Sequence, residues 1–88
     1  AQSYPNPFTT GGTTIEFDLP VTDTITMNIL DIRGRKVRTL IDREQLFGYQ
    51  AIMWDAKDDD GENVSRGVYF YQIKPRNLNE VGKLVFVK

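Results

Sequence analysis

The sequence has 88 residues, enough for one small domain that buries about 60–65% of the surface its unfolded chain exposes, and too few for a second domain or a deep cleft. It contains neither Cys nor His, which excludes disulfides, thiol nucleophiles, soft metal sites and Ser/His/Asp or Cys/His machinery. Eleven Lys and Arg against twelve Asp and Glu leave a formal charge of −1, so no bulk field steers the chain toward nucleic acid or an anionic membrane.

The chain opens on SYPNPF, residues 3–8, where Pro5 and Pro7 push Tyr4 and Asn6 toward extended backbone. Lacking N–H groups, the prolines cannot sit in a central ladder, so the segment must lie along a sheet edge or plug an end. An extended path puts Tyr4, Asn6 and Phe8 on one face and lets the Asn6 amide bond to loop backbone. The reading that fits is an edge-blocking anchor rather than a ligand site. Residues 13–19, TTIEFDL, alternate Ile15, Phe17 and Leu19 against Thr14, Glu16 and Asp18, the period of a half-buried strand, and Pro20 is expected to close it. Residues 24–32 repeat the period with Ile25, Met27 and Ile29 inward, while Leu30 and Ile32 opposite predict a far end covered on both faces.

DIRGRKV, residues 31–37, reads as a tight reversal in which Gly34 supplies a positive φ and Asp31 accepts hydrogen bonds from turn backbone. A strand over residues 36–41 follows, then a linker ending at Gly48. Residues 49–55 form the next strand, with Gln50, Ile52 and Trp54 on one face and Tyr49, Ala51 and Met53 on the other; Trp54 is the largest apolar unit for the core. An acidic, glycine-punctuated connection over 56–67 leads to VYFYQI, whose Tyr69, Tyr71 and Ile73 share a face. The last strand is KLVFVK, residues 83–88. About seven short strands at regular spacing predict an all-β protein, an immunoglobulin-like antiparallel sandwich, with a small barrel as the competing architecture.

The acidic loop invites a calcium reading, but placing Gly61 at the sixth position of an EF-hand puts Ala56 at the first and Gly67 at the twelfth. Asp55, Asp58 and Asp60 therefore read as a solvated turn, with a weak irregular Ca²⁺ site as the alternative, and no metal or cofactor is expected. No carboxylate pair stands out for glycoside hydrolysis in so small a domain, and no enzyme is expected. The basic run at residues 31–38 reads as a solvated hairpin rather than a phosphate patch. No apolar run reaches the ~18 residues of a membrane span, and the polar start argues against a signal peptide. The absence of a first Met leads us to expect a module from the end of a longer protein.

Five stretches together resemble the type A C-terminal sorting domain of the type IX secretion system, a family related to the immunoglobulin-like domain of the flagellar hook-capping protein. They are YPNPF (Tyr4, Pro5, Asn6, Pro7, Phe8), IEFDLP, MNILDIRGRKV, GYQAIMWDAKDDDGENVSRGVYFYQI and the terminal KLVFVK. The likeness runs over essentially the whole chain in the same order. It implies a sandwich at the C-terminus of a protein exported by a Gram-negative bacterium of the Bacteroidetes type. The cargo would pass through the periplasm and across the outer membrane by a translocon, and a sortase would then remove the domain and anchor the cargo to lipopolysaccharide at the cell surface. The family's structural positions fall on Asp31, Gly34 and Arg35, on Trp54, Asp55 and Gly61, and on Gly67, Tyr69 and Tyr71. Its recognition signal falls on Lys83, Leu84, Val85, Phe86, Val87 and Lys88. The implied partners are translocon and sortase proteins and an upstream cargo domain in the same chain, with no nucleic acid, no direct membrane insertion and a monomeric state.

A terminal strand can lend its backbone to a partner's sheet edge, main chain giving affinity and alternate side chains specificity, with Lys83 and Lys88 framing the register. The plainer reading makes it the last sandwich strand, with lysines as edge gatekeepers. Pro75 departs from the family's hairpin arm and predicts a longer turn there. The alternative function is an immunoglobulin-like structural or adhesive module of a surface or appendage protein. Carbohydrate binding, a third class, requires exposed coplanar rings among Tyr49, Tyr69 and Tyr71.

Overall fold

The computed structural model describes residues 1–74 and 80–87; the expected turn at Pro75 lies outside the described residues. Side chains that alternate in character build five strands among them: β1 (Gln2–Tyr4), β2 (Thr13–Leu30), β3 (Lys36–Trp54), β4 (Gly67–Lys74) and β5 (Glu80–Phe86). Each strand-to-strand ladder is antiparallel. β2 is the hub. β3 runs along one of its edges, β1 and then β4 share the other, and β4 carries β5, so the sheet curls into a half-barrel.

Five strands stand where about seven were expected because two interruptions bend a strand instead of ending it. Leu19 pairs with Gly48 and Asp23 with Leu46, which leaves Pro20, Val21 and Thr22 looped out of register. Pro20 does not close the strand, since in a bulge its missing N–H costs the ladder nothing. Residues 41–48, expected as a linker, belong to β3; Ile25 pairs with Glu44 and Met27 with Ile41, so the extra residue falls at Asp42 and Arg43, the latter with φ of 50°. Drawn straight, the 18 residues of β2 would span about 60 Å. The molecule's longest dimension is 37 Å, so the bulges must fold the β2–β3 ribbon back over the core.

That core is the inward set of β2 to β5: Ile15, Phe17, Leu19, Ile25, Met27 and Ile29 from β2, Ile41 and Trp54 from β3, Tyr69, Tyr71 and Ile73 from β4, and Leu84 and Phe86 from β5. Trp54 is fully buried as expected, and its Nε1–H donates to the Lys57 carbonyl at 2.9 Å. Its ring meets Phe8 edge-on at 5.7 Å and Tyr69 at 5.3 Å. Burial of Tyr69 and Tyr71 removes the proposed platform of rings, leaving Tyr49 exposed without them. Ile32, expected to be covered, is exposed at the tip of the β2–β3 turn.

Candidate functional site

Two turns of the molecule are built alike. In the β2–β3 connection the Asp31 N–H donates to the Arg35 carbonyl and the Gly34 N–H to the Asp31 carbonyl, each at 2.9 Å. Asp31 Oδ1 accepts the N–H groups of Arg33 and Arg35 at 2.9 Å, and Oδ2 accepts Arg35 Nε at 3.0 Å. In the acidic loop the Asp58 N–H donates to the Glu62 carbonyl at 2.9 Å and the Gly61 N–H to the Asp58 carbonyl at 3.0 Å. Asp58 Oδ1 accepts from the N–H groups of Asp60 (2.9 Å) and Glu62 (3.0 Å). Gly34 and Gly61 take φ values of 82° and 81°, left-handed backbone that glycine adopts freely. The shared signal is D-x-x-G-x, as DIRGR and DDDGE; the acidic loop already reads as a solvated turn in sequence, and setting one stretch over the other adds that it repeats the Asp31–Arg35 geometry.

The acidic side chains of that loop serve backbone and arginine donors. Asp59 Oδ1 accepts the Thr39 N–H of β3 at 2.9 Å, and Asp55 Oδ1 accepts from Arg38 Nη1 at 3.0 Å and from the Lys57 N–H at 3.2 Å. Among the described residues no group of three His, Cys, Asp or Glu is placed to hold a metal ion. The Arg35 N–H bonded to Asp31, aided by the Arg33 N–H and the Arg35 guanidinium, holds that carboxyl below its ordinary range, partly offset by burial.

β5 starts at Glu80, three residues ahead of the expected start. Leu84 and Phe86 point into the core, whereas Lys83, Val85 and Val87 face outward; Lys88 lies outside the described residues. The proposed recognition residues thus divide into two that hold the fold and three that meet solvent.

One edge of β5 pairs with β4, from Gly67 opposite Phe86 to Ile73 opposite Glu80. The other edge belongs to the opening segment. Asn6 Nδ2 donates to the Lys83 carbonyl at 2.8 Å, and Asn6 Oδ1 accepts the Val85 N–H at 2.9 Å. Two residues on, the Phe8 N–H donates to the Val85 carbonyl at 2.9 Å and the Phe8 carbonyl accepts the Val87 N–H at 2.8 Å, a parallel bridge centred on Phe86. The Asn6 carboxamide, donor and acceptor side by side, supplies what Pro5 and Pro7 lack. The expected edge-blocking anchor is present, and the terminal strand, read as able to lend its backbone to a partner's sheet edge, has that edge occupied. Four polar groups along that edge already have partners. Tyr4 and Phe8 do not share a face, because each belongs to a different neighbour: Tyr4 lies outward on β1 opposite Thr14, and the buried Phe8 ring stacks on Phe86 at 5.1 Å. These partnerships span almost the whole chain, and no local sequence signal reports them.

A curled antiparallel sheet with its last strand clasped by its first residues defines a packing module with no catalytic constellation among the described residues. The chain matches the family model of the secretion system C-terminal sorting domain over residues 2–88 and belongs to that family. It is a sorting domain of the type IX kind that its motifs resemble, a secretion signal and not a catalyst. Among solved structures it is similar to PorZ, described as an essential bacterial surface component of the type-IX secretion system of Porphyromonas gingivalis, at 21% identity and a TM-score of 0.70. The alignment covers 99% of this chain and 11% of that one, and at this identity it speaks for the fold alone. No match was found among the curated proteins.

Proposed function

We propose that residues 1–88 form one C-terminal sorting domain that directs an exported cargo through the periplasm and across the outer membrane of a Gram-negative bacterium, with later cleavage and attachment at the cell surface. The family match over residues 2–88 carries this reading. Translocon and sortase proteins are the partners, an upstream segment of the same chain is the cargo, and the domain works as a monomer. In this reading its architecture is an immunoglobulin-like sandwich, the folded β2–β3 ribbon serving both layers in place of separate short strands. The machinery meets the outward side chains Lys83, Val85 and Val87, with Lys88 beyond them.

The test replaces Lys83, Val85 and Val87 together by Ser, which spares the core residues Leu84 and Phe86, in a reporter fused to the domain in a type IX-competent host. Surface reporter is expected to disappear while the purified domain keeps its β-sheet circular dichroism. Undiminished export of the folded variant overturns the reading. The exposed Phe47, Tyr49 and Met53 along β3 favour a second reading as an adhesive module. It is selected if export survives the triple change and attachment to surfaces fails after Phe47→Ser.

A further inference from the structure

We propose that residues 4–8 are a releasable clasp, and that the outer edge of β5 beneath it is a binding site for an extended partner segment running parallel to β5. The inference rests on the recognition of β5 proposed above. The clasp itself shows what this edge accepts. An amide side chain bridges the Lys83 carbonyl and the Val85 N–H, and two residues later a parallel backbone takes the Val85 carbonyl and the Val87 N–H. A ring then fills the space between Phe86 and Trp54. A partner reading β5 by main chain needs these same four groups, so it must displace the clasp.

The two halves of the clasp are held unequally. Phe8 is buried, with two backbone hydrogen bonds and ring contacts on two sides. Asn6 is exposed and reaches β5 through its side chain alone, its neighbours being prolines that can donate nothing. β1 just before it pairs over three residues only, and the Pro5 carbonyl is tied to Thr13 Oγ1 of β2 at 2.8 Å rather than to β5. Displacement therefore begins at Lys83 and Val85, where water competes for the bonds, and finishes at the Phe8 socket. An extended segment with an aromatic side chain two residues after a hydrogen-bonding one fits this order of entry.

The experiment uses the full chain and its Asn6→Ala variant, with amide hydrogen exchange and a fluorescent peptide copying residues 2–9 as the probe. Loss of the Asn6 bonds is expected to speed exchange of the Val85 N–H roughly tenfold while amides of the β2–β4 ladder keep their rates. The probe is expected to bind the variant at least tenfold more tightly than the parent. Asn6→Asp, which keeps the acceptor for Val85 and loses the donor to Lys83, gives an intermediate exchange rate. Concentration-dependent dimers of Asn6→Ala also support the proposal, since another copy's clasp then fills the edge. Exchange that rises equally in every strand, probe affinity identical in variant and parent, or Asn6→Asp exchange equal to the parent's each overturn it. Export lost in the Lys83, Val85 and Val87 variant with none of these clasp effects would leave the sorting reading standing and remove the clasp alone.

Discussion

Gly82 is where a single missing side chain is most constrained by its neighbour. It lies opposite Tyr71 in the β4–β5 ladder, and a Cβ placed on it would stand 2.0 Å from Cζ of the tyrosine ring. The tyrosine ring occupies the space a side chain at residue 82 would take, and burial pushes the Tyr71 hydroxyl above its ordinary range, with Glu80 adding to the effect. Gly82→Ala is expected to cost ~1–3 kcal/mol through overpacking, against a total stability of ~4–13 kcal/mol for a chain of this length. Gly11→Ala is the control, since nothing lies within 4 Å of the position its Cβ would take. Urea titrations of the two variants measure the difference, with a lowered midpoint and unchanged slope expected for Gly82→Ala alone.

Among the elements, the β2–β3 turn is tied to acid pH through Asp31. The Asp31 carboxyl sits below its ordinary value in the folded chain, so its contribution to stability is present above about pH 4 and is lost as pH falls through the folded value. Tyr69 and Tyr71 behave oppositely; burial raises both hydroxyls, so their contribution is complete below about pH 10 and is lost as pH climbs through the folded values. Thermal unfolding midpoints should therefore be flat near neutrality and fall at both extremes. In Asp31→Asn, whose amide oxygen still accepts the turn's N–H groups, the acid limb should become shallower and the alkaline limb remain. Much at this scale was legible from local pattern. The alternation of Ile25, Met27 and Ile29, the inward Trp54 and the Asp31–Gly34 turn all follow from neighbours a few residues apart. What was not legible is whether an interruption ends a strand or bends it. Pro20 and Gly48 look like terminators in sequence, and only the ladder between β2 and β3 makes them parts of one folded ribbon. That the Asn6 amide bonds to backbone was legible, but its partners were hidden for the same reason, since they lie at Lys83 and Val85.

Across the whole molecule, stability should divide the two aromatics of the opening segment sharply. Phe8→Ala removes a buried ring from contact with Trp54 and Phe86 and is expected to cost ~3–5 kcal/mol. Tyr4→Ala, at a side chain 77% exposed, should stay within about 0.5 kcal/mol of the parent. Equal shifts in calorimetric melting for the two variants would contradict the closure described above. The clasp also sets an order in time. Asn6 and Val85 are separated by 79 positions, so the socket for Phe8 does not exist until the final strand has left the ribosome. The domain must therefore wait, with Phe8 unburied, and reaches its finished fold only after β5 has been made.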